Sequence, residues 1–226
     1  MQDHAQPPLN PLPPVVWLLA LPVVAMEVVL GLGGTGLVGG PEAIGWRLQA
    51  VERFAFSPGI LAWMWETGRW PALQAARIVT YPFVHVGLTH AIFVLVFILA
   101  LGKMVGEVFR AWGVLLVFFG AAVTGAAVYT AVGIKAPLIG GYPAVYGLIG
   151  AFTFLMWVRL AAAGANRVRA FTLIGLLLAI QLVFGVLFGG GSEWIADLAG
   201  FAAGFLLSFV AVPGGVGRVI AILRER

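Results

Sequence analysis

His85 and His90 stand five residues apart in "YPFVHVGLTHAIF", a stretch with no charged residue. Imidazoles at that spacing can hold a metal, pass protons or activate a hydroxyl. A metal would need a third ligand. The chain has no cysteine, and of its acids only Asp197 is a candidate third ligand, so we read no metal site and no cofactor here. The two rings are expected as hydrogen-bonded residues of a buried cavity. Asp197 could relay protons, but it has no second buried acid to pass them to, and the expectation is a satisfied structural carboxylate. Glu27 lies late in the first apolar stretch and reads as a carboxylate at the outer membrane interface. Only three serines, Ser57, Ser192 and Ser208, could supply a hydroxyl nucleophile of that type. A fifth feature is "GGYPAVYGLIGA", Gly140 to Ala151, where two glycines, Tyr142 and Pro143 interrupt an uncharged run.

These residues sit in a chain of 226 residues that is 62% hydrophobic and 10% charged, with a mean hydropathy of +1.04. A soluble domain is about one quarter charged, so this is an integral membrane protein. The lipid bilayer is its solvent, and the absence of a basic run with interleaved aromatics argues against a nucleic-acid partner. The net charge of +4 marks topology and lipid contact. Without cysteines no disulfide is possible.

Charge-free stretches mark the spans, because about 20 apolar residues cross a bilayer. They predict six helices, near 14–32, 81–102, 111–132, 138–158, 170–188 and 195–212, within a membrane domain at 14–217. Residues 1–13, rich in proline and without a basic leader region, read as an extended, disordered lead-in. Residues 218–226 read as a basic cytoplasmic tail. Lys103, Arg110, Arg159, Arg167, Arg169, Arg218, Arg224 and Arg226 fall on one side of this arrangement, and among the short loops opposite only Lys135 is basic. That bias puts both termini in the cytoplasm of a bacterial-type plasma membrane.

The long first loop, Gly31 to Thr80, carries a helical stripe of Ile44, Leu48, Val51 and Phe54, with Arg47, Glu52 and Arg53 off it. Trp63, Trp65 and Trp70 follow. Such a segment either lies amphipathically at the interface or caps the bundle. The backbone break at Gly140–Tyr142 is the harder question. Loose peptide groups at membrane depth cost several kcal/mol each, so a break is tolerated only where it is buried in protein or lines a cavity.

Three segments then line up: His85 and His90, the "GGYPAVYGLIGA" stretch, and "DLAGFAAGFLL", in which Gly200 and Gly204 form a small-xxx-small pair. Together they resemble the rhomboid family of intramembrane serine proteases, over roughly Trp46 to Val212. The resemblance implies an all-α membrane protein, a rhomboid-like bundle of six transmembrane helices with an amphipathic, membrane-interfacial first loop. The family has His-x4-His-x3-Asn in its second helix, Gly-x-Ser-Gly opening its fourth and His-x-x-Gly-x-x-x-Gly opening its sixth. In this chain the nucleophile position holds Tyr142, the glycine after it is Pro143, the general-base position holds Asp197 and the oxyanion-stabilising position holds Val94. Retained are His85, His90, Gly140, Tyr146, Gly147, Gly150, Gly200 and Gly204. The residues expected to line the inherited cavity are His85, His90, Gly140, Gly141, Tyr142, Tyr146 and Asp197. Gly147, Gly150, Gly200 and Gly204 are expected to pack helices.

A hydrolytic site needs an activated hydroxyl and donors aimed at the developing oxyanion. Val94 donates nothing and Pro143 has no N–H. Losing one such donor alone costs about 10²–10³ in rate. The chain therefore reads as a pseudoprotease without catalytic residues. By resemblance it would bind transmembrane segments of partner proteins and affect their assembly or stability. An active serine endopeptidase with divergent groups is the alternative, and a small transporter or a fixed subunit of a membrane complex is a third reading. Tyr142 and Asp197 are expected to replace the lost dyad with a hydrogen bond.

Overall fold

The computed structural model describes residues 11–188 and 191–215; the side chains of 182, 184–186 and 188 are outside that description. The basic tail at 218–226 and most of the lead-in at 1–13 lie outside the described residues. Nine α-helices and three 3₁₀ turns occur in what is described, with a single isolated bridge in place of any sheet. The protein is all-α. Five helices are long and apolar enough to cross a membrane: α1 (Pro14–Gly34), α5 (Leu88–Gly106), α6 (Ala111–Ala131), α7 (Tyr142–Ala162) and α9 (Trp194–Ala211). α8 (Thr172–Phe188) is a sixth apolar helix, slightly shorter at 17 residues. The first loop folds into α2 (Trp46–Phe54), α3 (Pro58–Thr67) and α4 (Ala72–Thr80).

Helix starts follow local chemistry. Pro14, Pro58 and Pro143 each occupy a first-turn position, where the missing N–H would have had no intrahelical partner. Ser57 caps α3 by accepting from the Ile60 N–H. α5 begins at Leu88, later than the charge-free stretch suggests, because a 3₁₀ turn at Tyr81–Phe83 and an extended stretch precede it. α7 likewise begins at Tyr142, where the sequence places the span near 138.

The centre is α7. It packs against α9 and α6, which also pack on each other, while α1 and α5 form a second layer joined to it through α5. Residues Pro143 through Ala151 are buried without a break. In lipid no hydrophobic force draws helices together, so close van der Waals approach must do it, and small residues allow that approach. A Cβ added to Gly204 would collide with the backbone of Gly147, and one added to Gly200 would collide with the Pro143 carbonyl. One added to Gly150 would strike the Phe201 carbonyl. At the third side of the triangle, a Cβ on Gly125 of α6 would sit 2.8 Å from the Ala196 carbonyl oxygen.

The break before α7 is satisfied by the first loop. Phe56 and Leu138 exchange backbone hydrogen bonds of 3.1 and 2.9 Å, and the Gly140 N–H donates to the Tyr81 carbonyl at 3.2 Å. Phe56, Tyr81 and Leu138 are fully buried, and the Tyr81 hydroxyl donates to the Ala122 carbonyl of α6 at 2.9 Å. The loop also buries Ala50, Ala55 and Met64 while leaving Trp63, Trp65 and Trp70 exposed. It caps the bundle and presents an aromatic surface at once.

The contact at Gly204 yields a stability test. Gly204→Val should cost about 1–3 kcal/mol or more, because backbone cannot move aside as a side chain can. Gly175→Ala in α8, where an added Cβ meets nothing within 4 Å, should leave stability unchanged or slightly raised. Thermal denaturation of the two variants in detergent compares them directly.

Candidate functional site

The site is built where the starts of α5, α7 and α9 meet the turn at Tyr81–Phe83. Gly140 adopts φ of 94°, a left-handed conformation natural to glycine, and a Cβ there would enter the His90 ring. This lets the chain pass directly beneath the histidines into α7. His85 is fully buried, and its ring meets that of His90 edge-on with centroids 5.0 Å apart. Tyr142 lies nearly parallel to His90, at 4.7 Å and 22°. Offset stacking of this kind contributes about 0.5–1.5 kcal/mol beyond area burial. Next to it, Val94 is fully buried, and a Cβ on Gly141 would stand 2.7 Å from a Val94 methyl. The expected cavity residues His85, His90, Gly140, Gly141 and Tyr142 therefore come together in the structure, with His85 edge-on to His90 and Tyr142 stacked on it.

Two expectations about hydrogen bonding are corrected. His85 and His90 are held by aromatic packing: both ring nitrogens of His85 and Nε2 of His90 are buried with no protein partner among the described residues. Tyr142 and Asp197 make no direct hydrogen bond. The stack turns the phenol toward α5, and Asp197 takes a different partner. Its Oδ2 accepts from Nε2 of Gln181, on α8, at 3.1 Å. Asp197 is 3% exposed, and its Oδ1 has no partner among the described residues. Tyr146 is also buried. Among the described residues no group of three His, Cys, Asp or Glu is placed to share a metal ion.

Gln181 escaped the sequence reading. Its signal was present, since it is the one amide side chain in the charge-free stretch from Ala170 to Ser192. The serines lie elsewhere in the structure. Ser57 caps α3, the Ser208 hydroxyl donates to the Gly204 carbonyl at 2.7 Å within α9, and Ser192 is exposed ahead of α9.

Glu27, expected as a carboxylate at the outer interface, has a partner within the protein. It is 8% exposed and binds Arg47 of α2 through two hydrogen bonds of 2.9 Å, one to each carboxylate oxygen. The same guanidinium donates to the His85 carbonyl at 3.0 Å. Hydrogen bonds to Glu27 hold the Arg47 pKa above its ordinary value against the opposing effect of burial. Bidentate pairing of this geometry is the strong form of a salt bridge. It joins α1, the first loop and the backbone just before α5.

Removing one member of that tie should be worse than removing both. Glu27→Gln should cost about 2–3 kcal/mol, less than the 3–5 typical of a fully buried pair because Arg47 retains some exposure. Glu27→Leu combined with Arg47→Met should cost less than Glu27→Gln. Denaturation curves of the single and double variants supply the comparison.

The comparisons with known proteins agree with this architecture. The model of the Rhomboid domain matches residues 72–214, more than half of the chain, from the start of α4 through α9. No curated protein matches the chain. A multi-pass arrangement of apolar helices, glycine-mediated contacts between them and this match agree in one assignment: the chain belongs to the rhomboid family.

Proposed function

We propose that this rhomboid is a pseudoprotease that binds transmembrane segments of partner proteins and affects their assembly or stability. The observation that carries the reading is the Tyr142–His90 stack. It sets an aromatic ring, lying flat on its neighbour, at the position that the family resemblance gives to the nucleophile. A phenol so placed is bulky, and its aryl ester would be a poor stand-in for a serine acyl-enzyme. Val94 packed on Gly141 puts methyl groups where an oxyanion would need a donor, and Pro143 has no N–H to offer. Asp197, at the position of the general base, is engaged by Gln181. Binding of a helix in the bilayer needs none of the lost groups, only a face on which to lie.

The purified chain should leave a transmembrane reporter uncut and take up no fluorophosphonate probe. Labelling that disappears on Ser57→Ala, Ser192→Ala or Ser208→Ala would establish an active peptidase instead. Tyr142→Ser, Pro143→Gly, Asp197→His and Val94→Asn together should recover weak activity, whereas each alone should not, because residues acting as a unit are strongly non-additive. Association with a labelled 20-residue Leu/Ala helix in vesicles tests the binding role, and no energy transfer above that of an unrelated membrane protein would refute it.

The same reading places both termini in the cytoplasm of a bacterial-type inner membrane, on the strength of the basic loops. Since the chain has no cysteine, single substitutions report topology cleanly. Lys135→Cys should react with an impermeant maleimide in intact cells, and Arg110→Cys only after lysis. The reverse pattern would invert the topology.

A further inference from the structure

α1 and α5 run side by side in opposite directions, close together at one end and parted at the other. At the close end a Cβ added to Gly102 would stand 3.3 Å from a Val16 methyl, and one added to Gly106 would stand 3.1 Å from Pro13. Toward the first loop the helices part around a groove of about 210 Å³, between Val23 and Val28 on α1 and Leu88 and Leu95 on α5. Val23 and Ala91 are buried at its floor, whereas Val28 and Leu88 are exposed at its rim. From Leu88 to Leu95 the groove runs about 10 Å along α5. Its walls are aliphatic, with one exception. Glu27 belongs to the lining, and Arg47 holds its carboxylate.

We propose that this groove is a phospholipid site, taking one acyl chain between α1 and α5 and the lipid phosphate at Arg47. A groove between two membrane-spanning helices faces hydrocarbon. It is too apolar to hold water, and left empty it forfeits dispersion contacts along both walls. An α-helix is about 10–12 Å across with its side chains, too wide to sink between two helices that touch at their other ends. A single acyl chain is narrow and pliant enough to enter. The head of the groove then selects among molecules that carry such a chain. Three of the five N–H groups of Arg47 are engaged, two by the Glu27 carboxylate and one by the His85 carbonyl. Two remain, on a side chain that is 26% exposed. A guanidinium at the membrane edge with donors to spare suits a phosphate oxygen. Since Glu27 balances its charge, recognition rests on directed hydrogen bonds more than on net charge. A bound lipid would brace the parted ends of α1 and α5 beneath the clasp that Arg47 forms.

The test uses the full chain, stripped of lipid in mild detergent and titrated with dioleoyl phosphatidylglycerol or with dioleoylglycerol, which has the same chains and no phosphate. Native mass spectrometry counts the molecules retained. One phosphatidylglycerol should be held on the order of tenfold more tightly than dioleoylglycerol, as a charge-assisted hydrogen bond would give. Val28→Trp at the rim and Ala91→Leu at the floor should each weaken retention on the order of tenfold or more by filling the groove. Val28→Trp alone decides if Ala91→Leu does not fold, because Val28 is exposed. Leu206→Phe, on the exposed face of α9, should change nothing. Glu27→Leu combined with Arg47→Met removes the guanidinium without stranding a carboxylate, and should erase the preference for the phosphate.

Retention that Val28→Trp leaves unchanged would overturn the groove as the site. Equal retention of the two lipids, or a preference that survives the double substitution, would overturn the role of Arg47. A labelled 20-residue Leu/Ala helix whose association is lost in Val28→Trp while phosphatidylglycerol is still retained would give the groove to a partner helix and exclude the lipid.

Discussion

Where α7 crosses α9, backbone meets backbone. Gly147 faces Gly204, Gly200 faces the Pro143 carbonyl, and there is no room for a single methyl group between them. Hydrocarbon gives helices no reason to associate through apolar area, so the attraction must come from dense contact over short distances. Everything at the site inherits its position from that contact. The start of α7 sets Tyr142, the start of α9 sets Asp197, and α6 closes the triangle through Gly125. Moving α9 outward by the width of a side chain would separate the very positions whose pairing defines the family's chemistry.

Around that frame, positions tied to catalysis by resemblance have become packing positions. Val94 fills space against Gly141, the Tyr142 ring covers His90, and Asp197 is bound from α8. The cavity residues are close together but make few polar contacts with one another. His85 touches the rest of the polar network through its backbone, by accepting from Arg47, while its ring serves as an aromatic surface. A hydrolytic site requires the opposite arrangement, with side-chain donors and acceptors aimed at one point in space.

The helices were legible in the sequence because charge is so costly in hydrocarbon that its absence outlines the spans. The glycine pairs were legible for a related reason, since only small residues permit the contact. Side-chain partners were not. The stripe of Ile44 and Leu48 left an interfacial surface and a packing cap equally open; both residues are about two-thirds exposed and Arg47 turns inward. In a membrane the outside is as apolar as the inside, so hydrophobic periodicity no longer distinguishes core from surface. The Tyr142–Asp197 hydrogen bond failed because facing positions were treated as facing atoms. The flat ring found a better partner in His90, and the carboxylate found Gln181, a residue that no motif singled out.

The tie at Arg47 has a consequence for the order in which the protein can be assembled. Its three hydrogen bonds reach back 20 residues to Glu27 and forward 38 residues to His85. During synthesis Glu27 leaves the ribosome 20 residues ahead of the guanidinium that pairs with it. The His85 carbonyl comes later still. Glu27 must therefore wait, protonated or hydrated at the membrane edge, until the first loop folds back on it. The clasp can close fully only once the turn leading into α5 has emerged. Because Phe56 in the same loop pairs with Leu138, the loop is not finished until the fourth span is ready to begin. The first loop is thus among the earliest segments translated and among the last to reach its final place.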